Sequence, residues 1–148
     1  MSIQSIHYVR QSTFLESGKQ IFGCDLHFHS TGEFSFTRQN KDGVPEMING
    51  ILPTEQFYEF NELINREVFY AKMPQLFGEN VITQRTKRVE ALLLQCFYEN
   101  PEQNKEAHLL FDADPFNTNP QAEKEGQMLT KMLSGMSNFV LQRIVYPK

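Results

Sequence analysis

Between Gly23 and Ser30 the chain alternates, with Cys24, Leu26 and Phe28 on one side and Asp25, His27 and His29 on the other. A period of two marks a strand with one dry and one wet face. Ile3 to Val9 is short and β-prone, and a turn around Glu16-Ser17-Gly18 leads into the strand Ile21 to Ser30. Thr31-Gly32-Glu33 reads as a hairpin connection, with Phe34 to Thr37 as the returning strand. Asn40-Lys41-Asp42-Gly43 is a second hairpin signal, because an Asp-Gly pair tolerates the positive φ of tight turns. Val44 to Leu52 contains Pro45 and Asn49-Gly50, which leaves two readings, a short edge strand or a loop.

The period changes after Pro53. Phe57, Phe60, Leu63, Ile64, Val68 and Ala71 recur at three and four, the spacing of a one-sided helix. Thr54 fits its N-cap and Pro74 marks its end. Val81 to Tyr98 fits two patterns, a helical stripe or a strand. The strand reading is preferred, because Asn100-Pro101 turns the chain into a short apolar run, His108 to Phe111. A second helix begins near Pro120, a residue suited to the first helical position, and Gly135 lies where it would stop. The β-branched pair Ile144-Val145 makes Phe139 to Tyr146 a closing strand.

Together these elements predict a single α+β domain over residues 1–148. An antiparallel sheet of about five to six strands, from 3–37, 89–111 and 139–146, is packed by helices near 54–72 and 120–134. Phe28, Phe60, Leu63, Leu93 and Leu129 are expected in its core.

Composition narrows the picture. A chain of 148 residues supports one core, hiding roughly 68–70% of its unfolded surface. Thirteen phenylalanines and no tryptophan predict a core of large rings that ask for no hydrogen-bond partner. The net charge of −4 offers no general attraction to phosphate backbones. Arg85, Lys87 and Arg88 form the best basic patch, and the charged edge of a strand explains them as well as nucleic acid does. Cys24 and Cys96, the only cysteines, lie in apolar runs and read as small buried hydrophobes. The first residues carry no apolar secretory segment, and no apolar stretch approaches membrane-spanning length, so cytoplasmic residence is expected.

The chemistry concentrates in Asp25, His27 and His29. Two imidazoles and a carboxylate on one face suit zinc, iron or manganese, given a further ligand from elsewhere. The stretch Asp25-Leu26-His27-Phe28-His29-Ser30 locally resembles the opening motif of the PHP family of metal-dependent phosphoesterases, which often reads Asp-Leu-His-x-His-Ser. Membership would imply a (β/α)-barrel with many further histidine and acidic ligands. Only His7 and His108 remain, His7 lies upstream of the motif, and the chain is too short for the barrel, so membership is rejected. The wet face of a strand is the first reading of the trio and a metal site the second.

Asp112 and Asp114 could add carboxylates, but their place before a turn favours a loop role. A triad of Cys24, His27 and Asp25 fails because Cys24 faces away from the other two. Cys96 with His108 depends on a register that sequence does not supply. No phosphate loop, dinucleotide fingerprint, nucleophile elbow or Cys-x-x-Cys occurs. Function therefore ranks first as non-catalytic binding or inhibition of another protein, immunity-protein-like, with no cofactor. Whether the chain is an enzyme stays open, nucleic acid is disfavoured, and a homodimer is compatible with the sequence. The alternative is a small metal-dependent hydrolase using the Asp25, His27 and His29 face, completed by Asp112 or Asp114.

Overall fold

The computed structural model describes residues 2–14, 20–39, 44–69, 88–112, 135–136 and 138–145. Alternating apolar residues draw six strands into one antiparallel sheet: β1 (Ile3–Phe14), β2 (Gln20–His29), β3 (Glu33–Gln39), β4 (Pro45–Ile51), β5 (Arg88–Tyr98) and β6 (Lys105–Asp112). Their order is β4-β3-β2-β1-β5-β6, so the first strand lies inside the sheet, between its hairpin partner β2 and the distant β5. The fold is α+β, with helical segments on one face of the sheet.

The turns explain local register. Gly32 takes a φ of 96°, its N–H bonds the His29 carbonyl at 2.9 Å, and its own carbonyl accepts from Leu52 N–H at 2.8 Å. A Cβ here would strike the Leu52 carbonyl oxygen, so this turn requires glycine both for its dihedral and for the approach of the segment after β4. Between β5 and β6, the Asn100 side chain accepts from Glu102 N–H at 3.0 Å, and Asn104 Oδ1 accepts from Tyr98 N–H at 2.7 Å. The proposed hairpin over Val89 to Phe111 is therefore present, and Val44 to Leu52 contributes an edge strand.

Helix α1 (Thr54–Ile64) runs into a π-helical turn, Asn65–Phe69. Its N-cap is Pro53, with no side-chain cap bond, so Thr54 is the first helical residue and not the cap. Asn65 donates from Nδ2 to the Asn61 carbonyl at 3.0 Å and accepts from Lys105 Nζ at 3.2 Å, tying the turn to β6. Phe57, Phe60, Ile64 and Val68 point from this segment into the sheet.

The largest correction is at the C-terminal end. Residues 138–140 are α-helical and Leu141–Val145 is a π-helical turn, where a strand over 139–146 is expected from sequence. Met136, Phe139, Val140 and Ile144 are all buried, a spacing of three and four that favours a helix despite the β-branched pair. Gly135 is itself helical, where the sequence suggests a stop; its missing Cβ leaves room for the Glu67 carboxylate. Leu93 is corrected as well: Leu92 and Leu94 are fully buried, whereas Leu93 lies half-buried on the opposite face. Phe28 and Phe60 are core residues and Leu63 packs at its margin. The expected helix over 120–134, Leu129, Pro74, Asp114 and the Asn40–Gly43 turn lie outside the described residues.

Rings fill the layer between sheet and helices. Phe28 meets Phe57 edge-on at 5.2 Å, and Phe60 at 6.2 Å and Phe139 at 6.4 Å in tilted contacts. Phe60 stacks on Phe139 at 4.9 Å and meets Tyr8 edge-on at 5.9 Å. Arg143 reaches Glu59 at 3.6 Å, a half-exposed pair that contributes little.

Phe60→Ala should cost about 3–5 kcal/mol in denaturant unfolding, and Leu93→Ala clearly less, because only the first leaves a cavity in the ring layer. Equal losses would contradict the face assignment. Glu67 supplies a pH dependence. Burial raises its carboxyl above the ordinary value of 4.5, opposed by Arg66, and its Oε2 has no hydrogen-bond partner among the described residues. The ionised form is therefore penalised in the folded state at pH values above the raised pKa, and the penalty disappears as pH falls from there through 4.5. Glu67→Gln should stabilise at neutral pH and lose that advantage below pH 4.5, as read from denaturation midpoints across pH.

Candidate metal centre on the open face

The face of the sheet away from the helices collects polar side chains because the other face is claimed by the core. Register aligns them in a row across five strands: Gln95 on β5, His7 on β1, His27 on β2, Ser35 on β3 and Asn49 on β4. One row along, Asp25 lies opposite Val9 and Thr37.

Three potential ligands converge here, His7 and His27 from this row and Asp25 from the next. His7 Nε2 is 2.8 Å from Asp25 Oδ1, and His27 Nε2 is 3.3 Å from the same oxygen. The two imidazoles stack, with centroids 4.0 Å apart and planes inclined by 14°. One ligand atom from each of His7, Asp25 and His27 can be chosen so that all lie within 4.8 Å of one another. Ligands at roughly 2.0–2.1 Å around a tetrahedral ion are separated by about 3.3 Å, so the spacing of the cluster is close to what an ion needs, and the two stacked rings must rotate apart to aim both lone pairs at it.

Of the three residues singled out by sequence, Asp25 and His27 come together and His29 does not join the cluster. Same-face residues on one strand are spaced by about 6.5–7 Å, whereas cross-strand partners approach to about 4.5–5.5 Å. His29, opposite Ser5, is displaced along β2 on the side away from Asp25. His7 enters instead, directly opposite His27. A signal for it exists in the sequence: His7 and His27 are each ten residues from Ser17, the centre of the expected turn.

Two other candidates separate. Asp112 pairs with Val89, six residues along β5 from Gln95, hence about 20 Å from the histidine row. His108 pairs with Leu93 on the open face, while Cys96 lies buried on the core face, so no cysteine–histidine pair forms.

Polar contacts prepare His7 for a cation. Its Nδ1 lies 3.1 Å from Gln95 Oε1 and its Nε2 2.8 Å from Asp25 Oδ1, so both ring nitrogens have polar partners, and the carboxylate, an acceptor only, takes an Nε2–H. A metal ion bound at Nε2 would take the place of that proton. Burial holds His27 below the ordinary imidazole value of 6.5, helped by His7 and His29 and opposed by Asp25. His27 is therefore neutral at pH 7 and able to ligate. At 55% side-chain exposure, it leaves the cluster open to solvent and to a substrate.

The sequence matches no family model and no curated protein. No helix among the described residues is long and apolar enough to cross a membrane.

Proposed function

We propose that the chain is a small metal-dependent hydrolase whose divalent ion is held by His7, Asp25 and His27. The convergence of two imidazole nitrogens and one carboxylate oxygen from paired strands carries this reading. Three protein ligands leave coordination positions for water and substrate, the pattern of catalytic rather than closed structural sites. An ion held there would lower the pKa of a coordinated water toward neutrality and so would supply a nucleophile. Gln95 orients His7 from behind, as outer hydrogen-bond partners of ligating histidines do.

Elemental analysis of tag-free protein purified without chelator should find about one equivalent of zinc, iron or manganese. His7→Ala and His27→Ala should lose it, His29→Ala should keep it, and Gln95→Leu should weaken retention about 10–100-fold. Chelation should abolish turnover in a panel of phosphate and carboxylic esters. Metal below a tenth of an equivalent, even after the ions are supplied, would exclude the centre.

A second reading, non-catalytic binding of another protein in the manner of an inhibitor or adaptor, draws on edge strand β4. Met47 and Ile51 are 65% and 72% exposed there, on the open face. Large apolar groups beside an edge strand suit an added strand from a partner. Under this reading, Met47→Glu with Ile51→Lys abolishes co-purification of a stoichiometric partner from the native cell and leaves metal content unchanged. A partner retained by the double variant would remove β4 from the interface.

A further inference from the structure

On the opposite side of the same strands, under the C-terminal helical segment, lies a cleft of about 240 Å³ that the metal centre does not use. Its apolar wall is Tyr8, Phe36, Val140, Leu141 and Val145, and its charged groups are Arg10 and Arg38. None of the described residues lining it is acidic. Register sets the two arginines on either side of Cys24, which pairs with Arg10 on β1 and with Arg38 on β3. Adjacent strands are about 4.8 Å apart, so the two backbone positions are separated by about 10 Å, within reach of one small anion between their side chains.

The backbone is shaped at this point. Pairing of β1 with β2 shifts between Arg10 and Gln11, leaving Gly23 as the extra residue of a bulge. A Cβ on Gly23 would strike the Arg10 carbonyl, so glycine allows the two strands to close while the bulge re-aims their side chains. Arg38 meets Glu46 through Nε, at 3.3 Å, a contact that does not use its terminal nitrogens. Arg10 is also engaged elsewhere, and a guanidinium carries five N–H donors, enough for more than one acceptor.

Size and lining define the occupant. An apolar cavity of about 150 Å³ holds benzene, and drug-sized ligands fill roughly 300–1,000 Å³. The cleft falls between these limits. We propose that it binds a small monocarboxylate with a short apolar body, the carboxylate between Arg10 and Arg38 and the body against Tyr8, Phe36 and Val140. Paired guanidinium contacts offset the desolvation of the anion, and the apolar wall takes the remainder of the molecule.

Cys24, in the wall between the arginines, provides a reporter in the intact chain. Cys96 is an internal control, buried and with its thiol pushed up to about 11 by burial, partly offset by Lys105. Iodoacetate should alkylate Cys24 in preference to neutral iodoacetamide, by about tenfold over the same ratio for glutathione. Hexanoate should suppress this reaction saturably, and hexanol and inorganic phosphate should do so far less. Arg38→Gln should lower the preference, Arg10→Gln likewise if it folds, and Leu141→Trp should fill the cleft and remove hexanoate protection. Calorimetric titration of the unmodified protein with hexanoate gives a second readout independent of the thiol and of every variant. A glutathione-like ratio, equal protection by hexanol, stronger protection by phosphate, or no heat of hexanoate binding would each overturn the assignment.

Discussion

Phe28 is the side chain on which the arrangement turns. It touches Phe57 and Phe60 on α1 and Phe139 on the C-terminal segment, so one ring from β2 joins the sheet to both helical segments. Burying such a ring contributes about 1.5–3 kcal/mol, and each well-placed ring pair adds about 0.5–1.5 kcal/mol. Because side chains alternate, fixing Phe28 inward fixes His27 and His29 outward. A slip of one residue would bring two imidazoles and Asp25 into the ring layer and expel Leu26 and Phe28. The apolar side of β2 thus sets the chemistry of its polar side.

Collecting ligands across strands is a consequence of strand spacing. Same-face residues along one strand start farther apart than cross-strand partners, so a neighbouring strand can supply a closer group. That is why the metal candidate is built from β1 and β2 together, with Gln95 of β5 behind it. Asp25 serves both histidines because its carboxylate reaches diagonally across the hairpin as well as along its own strand.

The local pattern is legible in sequence wherever one face is wholly apolar and the other wholly polar. Cys24 to His29 meets that condition, and so does the stripe of Phe57, Phe60 and Ile64 on α1. Legibility fails where both readings bury something. In β5, Leu92, Leu93 and Leu94 follow one another, and only pairing with β1 decides that Leu93 shares a face with Gln95 rather than with the core. At the C-terminal end, Ile144-Val145 favours extended backbone locally, but Met136, Phe139, Val140 and Ile144 bury a helical stripe. His7 escapes a local reading because its role depends on pairing twenty residues away.

The place of β1 also bears on how the chain acquires its structure during synthesis. Strands β1 to β4 can pair as a meander of neighbours in sequence, but the second edge of β1 waits for β5, beginning at Arg88. Until then a strand bearing Ile6, Tyr8 and Val9 presents unpaired backbone to its surroundings, the condition under which strands join the wrong partner. Such distant pairings incur the entropy of a long closed loop before they return contact energy, which slows folding. The polar open face, with His7 and Gln11 on β1, keeps one side of that waiting strand hydrated through the delay.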